Sequence, residues 1–102
     1  MKNKGESMIM LMMRVEIDIR GVRSLKEKRQ IRLRIIDRLH HHYKLSVKEI
    51  EKQDSLDFLT LGISEVLLKE SEASEKKEKY LEKIEEWCDY PVREVLWDCI
   101  IE

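Results

Sequence analysis

From Ile9 the chain alternates: Ile9, Leu11, Met13, Val15, Ile17 and Ile19 are apolar, while the positions between change from Met10 and Met12 to Arg14, Glu16 and Asp18. Period two over this length predicts a strand with its odd face buried. Gly21 breaks it. Leu25, Ile31, Ile35, Ile36, Leu39 and Tyr43 then recur at helical spacing on one broad side. "SLKE" at Ser24 is a capping box for that helix: the serine oxygen takes the N–H of Glu27, and the glutamate reaches back. A short strand from Leu45, a turn at "KQDS" and a strand over 58–68, with Leu59, Leu61, Ile63 and Leu67 in phase, come next. "KESEAS" opens a second helix whose inward side carries Tyr80, Leu81, Ile84 and Trp87. Pro91, lacking an N–H, is expected to stop it. "VREVLWDCII" closes as a strand with Val95, Trp97, Cys99 and Ile101 facing one way.

The predicted order is β-α-β-β-α-β. Two right-handed βαβ crossovers interleaved in one antiparallel sheet give an α+β, ferredoxin-like split sandwich, with both helices on one face of four strands. A length of 102 residues allows one domain, read as 8–102 behind a loose polar leader at 1–7. The longest apolar run, "MIMLMM", is too short to span a bilayer, and no small-residue cleavage site follows it. A cytoplasmic protein is expected. Cys88 and Cys99 lack disulfide-scaffold and metal-ligand spacing and read as small buried thiols.

Charge changes this picture more than composition does. The net charge is only −1, but residues 1–52 carry 14 Lys/Arg against 7 Asp/Glu, and residues 53–102 carry 6 against 14. Such asymmetry marks either a nucleic-acid face or two surfaces that neutralise each other.

"VEIDIRGVRSLKEKR", followed by "DRL", "SVKEI", "QD" and "LGI", resembles the YlxP-like family of small bacterial proteins, domain of unknown function 503. The resemblance runs from about Met8 to the end and implies the same ferredoxin-like fold. Family members are often encoded among translation factors, which implies a partner in the ribosome or RNA. It supplies no activity or catalytic residues. Arg32 and Leu33 depart from the family pattern, which has an aliphatic residue and a polar one there. An arginine within the apolar stripe is expected to snorkel its head outward.

Arg20, Arg23, Lys26, Lys28 and Arg29 surround the start of the first helix, with Arg32, Arg34 and Arg38 beyond. Cations are unfavourable at a helix N-terminus, so they serve a function or are compensated elsewhere. On the first reading Arg20, Arg23, Lys26, Lys28 and Arg29 bind an anion, ribosomal RNA or a translation component, neutralising phosphates without reading bases. On the second, the acidic end of an antiparallel second helix, Glu82, Glu85, Glu86 and Asp89, cancels them.

Other chemistry is weaker. "RGVR" resembles the acylphosphatase phosphate loop, but such enzymes also need a water-positioning asparagine, and the only one here is Asn3. His40, His41 and His42 are consecutive, so they splay around a helix end and favour its dipole rather than converge on a metal. Glu49 and Asp54 form a carboxylate pair with no accompanying nucleophile. The central strands lack the stacking aromatics of an RNA-recognition motif. No enzyme activity, cofactor or metal is therefore expected. On the sheet face away from the helices, Met10, Met12, Val66, Leu96 and Ile100 form an apolar patch suited to a homodimer interface. The alternative function is thus a homodimeric structural or protein-interaction module that binds no nucleic acid.

Overall fold

A computed structural model describes residues 7–102; the leader expected at 1–7, apart from Ser7, lies outside the described residues, as does Asn3. The elements run β1 (Ile9–Asp18), α1 (Leu25–Tyr43), β2 (Ser46–Glu51), β3 (Phe58–Leu67), a 3-10 turn (Glu70–Glu72), α2 (Ala73–Trp87) and β4 (Val92–Ile101). The strands form one antiparallel sheet in the order β2-β3-β1-β4. This is the expected α+β, ferredoxin-like arrangement.

Leu11, Met13, Val15 and Ile17 of β1 are buried, with Ile9 partly so, as are Leu59, Leu61, Ile63 and Leu67 of β3. They meet Ile31, Ile35 and Leu39 of α1 and Tyr80 and Ile84 of α2 in a single core. The helices lie antiparallel on that side. Tyr80 packs on Tyr43 at 5.0 Å between ring centroids, and Trp87 stacks on His42 at 5.4 Å beneath the Arg38 guanidinium. α1 packs towards β2, and α2 towards β1 and β4.

Ser24 starts α1 as expected: its Oγ accepts the Glu27 N–H at 3.1 Å, and Glu27 accepts the Arg23 N–H. Ser24→Ala should lower stability by about 1 kcal/mol in urea unfolding. Lys44, in the left-handed region at φ 59°, closes the helix by donating its N–H to His40. α2 ends earlier than proline requires. Its last residue is Trp87, and Cys88 is already extended, so Pro91 follows a chain that has left the helix.

β4 departs from expectation in exposure. Val95 and Cys99 are partly covered by the helices, whereas Trp97 and Ile101 on the same side remain exposed, because β4 is an edge strand that α2 only partly overhangs. In β3, Gly62 leaves room for Ile50. A Cβ there would lie 2.9 Å from Ile50 Cγ2. No helix among the described residues is long and apolar enough to cross a membrane.

Candidate nucleic-acid interface

The basic cluster separates into three kinds of residue. Lys28, although charged, projects inward with a side chain 2% exposed. Its Nζ donates to the carbonyls of Lys52, Gln53 and Ser55 at 2.8, 3.2 and 2.7 Å, tying α1 to the β2–β3 turn. Glu49 Oε2 lies 3.1 Å from the same ammonium but accepts no hydrogen bond among the described residues. An ammonium has three donors, and the carbonyls take all three, so the contact to Glu49 is ionic and undirected. Lys28 is therefore committed to the fold and unavailable to an external anion.

Arg20 and Arg32 are partly engaged. Arg20 grips Asp18 through Nε and Nη2, and Asp18 is held below the usual carboxylate range by those bonds, yet most of the guanidinium faces solvent. Arg32, expected to send its head outward, instead turns it onto the buried Glu49, donating to Oε1 at 2.8 Å, with its side chain 30% exposed. Glu49 is thus a buried counter-ion for two cations of α1. Asp54, its supposed partner in a carboxylate pair, stands exposed in the turn.

Arg23, Lys26, Arg29 and Arg34 are exposed and form no ion pair among the described residues. Arg38 has only the Trp87 ring beneath it. These five occupy the loop before α1 and the solvent half of the helix, whose two acids are Glu27, turned back to the Arg23 N–H, and Asp37. From Lys26 to Arg38 the row spans roughly 18 Å.

Cancellation by α2 is not made through ion pairs. Glu86 pairs with Lys83 of its own helix at 3.2 Å, and no ion pair among the described residues joins α1 to α2. The helix register explains this. Trp87 lies level with Arg38 and Cys88 near Arg34, so the basic first turns of α1 project past the last turn of α2. The histidines fit their helix-end reading: His42 stacks on Trp87, and His40 Nδ1 lies 3.3 Å from the Leu45 carbonyl.

The face of the sheet opposite the helices divides in two. Near the end of β1, Glu16 is 1% exposed, covered by its own partners instead of by depth. Lys52 and Arg93 fold over it as ion-pair donors, both against the Phe58 ring, and Thr60 Oγ1 donates at 3.2 Å. Arg14 beside it bridges Glu51 and Glu94. Alternation alone placed Glu16 on a solvated face. A signal existed in the cations at 52 and 93, but only the sheet register brings them together.

On the other half, Met12, Val66 and Leu96 are exposed while Met10 and Ile100 are half-buried. Met12, Leu96, Ile100 and Ile50 line a groove of about 560 Å3 floored by Gly62.

The comparisons with known proteins add no activity. No curated protein matches the chain. A family model described as "Protein of unknown function (DUF503)" matches residues 10–96, spanning β1 to the middle of β4. The chain therefore belongs to the DUF503 family, the family anticipated from the "SLKEKR" and "QD…LGI" segments.

Proposed function

We propose that this chain is a non-enzymatic, cytoplasmic binding protein that docks on ribosomal RNA through the loop before α1 and the solvent half of that helix. One observation carries the reading: among the described residues Arg23, Lys26, Arg29 and Arg34 have no carboxylate partner, although acids slightly outnumber bases in the chain. Elsewhere acidic partners are near at hand, as Arg14, Arg20, Arg32, Lys52 and Arg93 show. A row of roughly 18 Å accommodates about five phosphates of one strand at 3.4 Å each. Binding of this kind neutralises charge and positions the protein; it does not read sequence.

The non-enzymatic part rests on the state of the reactive groups. Burial pushes the Cys88 and Cys99 thiols above their ordinary pKa, away from thiolate character. The buried carboxylates Glu16 and Glu49 are each held between two cations, and the Thr60 hydroxyl beside Glu16 is itself fully buried, out of reach of a substrate.

Fluorescence anisotropy with labelled ribosomal RNA tests the proposal. Contacts to about five phosphates give a log–log salt slope of roughly −3.5 on single strands and −4.5 on duplex. The double variant Arg23→Glu/Arg29→Glu should weaken binding at least tenfold, with a shallower slope. Its unfolding free energy should stay within about 0.5 kcal/mol, because neither side chain has a partner to lose. Absence of binding at low salt, or binding indifferent to the double reversal, refutes the reading. A large stability loss would instead restore internal neutralisation.

A further inference from the structure

We infer that a second copy of this chain pairs with β4 along its outer edge, joining two four-stranded sheets into one of eight. The two edges of the sheet differ sharply. Both edges carry charges, Lys48 and Glu51 on β2 and Arg93, Glu94 and Asp98 on β4, but β2 is only six residues long and bulged between Glu49 and Glu51, devices that discourage strand addition. β4 is ten residues long, and its register with β1 shifts only at its start, opposite Glu16 and Ile17. Its apolar side chains are exposed on both faces of the sheet: Leu96 (57%) away from the helices, Trp97 (41%) and Ile101 (48%) on the helix side. A partner lying on either face would cover one set and leave the other. Only a strand laid alongside β4 covers both.

The ladder shows which groups such a strand would meet. Met8 and Glu102 exchange both of their N–H···O bonds at 2.9 Å, so the even residues of β4 point their backbone groups at β1. The N–H and C=O of Val95, Trp97, Cys99 and Ile101 therefore point outward. Asp98 Oδ1 accepts the Cys99 N–H at 2.8 Å, a local substitute for a missing strand partner.

A second copy is favoured because β4 can oppose itself in a register that sets no like charges against each other. A two-fold axis normal to the sheet keeps each face on its own side, so opposed residues must share a face. Centring the axis on Leu96 sets Glu94 against Asp98 of the other copy, a like-charge pair. Centring it on Trp97 avoids any opposed acids and pairs residues 94–100, leaving out the bulged Arg93. It places Trp97 on its own copy, Val95 opposite Cys99, Glu94 opposite Ile100 and Leu96 opposite Asp98. α1 packs towards β2, so both basic surfaces stay on the outer flanks of such a dimer.

Sedimentation equilibrium of the full chain should give twice the 12.3 kDa chain mass. Trp97→Pro removes an outward N–H without touching the β1 ladder, and should return the mass to one chain. Met12→Glu, on the open face, should leave the dimer intact. A monomeric wild type, or a dimer lost with Met12→Glu but kept with Trp97→Pro, overturns the inference. If both variants dissociate or neither does, hydrogen exchange on the wild type decides. A Trp97 amide protected in proportion to chain concentration upholds edge pairing; one exchanging at the rate of an open strand overturns it.

Discussion

Lys28→Met should lower the stability of this domain by about 3–5 kcal/mol, the loss typical of breaking a buried charged contact from one side. The variant keeps the aliphatic stem but removes the ammonium that holds the carbonyls of Lys52, Gln53 and Ser55 and neutralises Glu49. Three carbonyl acceptors lose their donor, and buried Glu49 loses one of its two cations. For a domain of this size the fall in Tm is at least about 12 °C. Arg29→Met, one residue on, is the control: its side chain is exposed and unpaired, and its stability should stay within about 0.5 kcal/mol. Urea unfolding of both variants measures the contrast. A loss below about 1 kcal/mol for Lys28→Met would show that the β2–β3 turn does not depend on it. Adding Glu49→Gln to Lys28→Met should recover part of the loss, because one stranded charge is then removed.

Glu16→Gln should lower stability by about 2 kcal/mol at pH 7. The figure is kept modest because Lys52 and Arg93 are half exposed and regain water when released. The hydrogen bond from Lys52 first, and then that from Arg93, hold the Glu16 carboxyl below its ordinary value against the opposing effect of burial. A carboxyl whose folded pKa is depressed stabilises the fold above its unfolded pKa, and that contribution is lost as pH falls through the folded value. The gap between wild type and Glu16→Gln should therefore be full at pH 7, begin to close below about pH 4.5, and vanish once the native carboxyl is protonated. Asp18 and Glu51 are depressed as well, by Arg20 and Arg14, but both remain in the variant and cancel in the difference. A gap that persists unchanged into acid would show that the Glu16 charge does not hold this cluster together.

Glu16 and Lys28 mark where the sequence stopped being informative. Charge at an even strand position, or in a helix start, normally means solvent: alternation placed Glu16 there, and the basic cluster at the helix start placed Lys28 there. What buries them is assembled from distant segments: residues 52, 60 and 93 over Glu16, and residues 49 and 52–55 around Lys28. No periodicity within one element encodes such meetings. Glu65, on the helix side of β3, is a further case. Its carboxylate receives the Tyr80 hydroxyl and Lys76, and its position between Ile63 and Leu67 gave no sign of either. The Tyr80 hydroxyl in turn has its pKa raised by burial and by that carboxylate, so it remains a donor.

Element order, the odd face of β1, the Ser24 cap and the helix stripes were fixed by local rules, because period two, period 3.6 and capping depend only on near neighbours along the chain. From those, right-handed crossovers leave few topologies, and the observed sheet is one of them. The charge asymmetry of the two halves was equally plain in the sequence. Only the folded chain decided which cations are committed and which remain without partners, and which strand edge is left bare. Both depend on the register of strands and helices far apart in sequence. An ion pair extends over about 4 Å, and a shift of one residue moves a side chain to the opposite face of a strand.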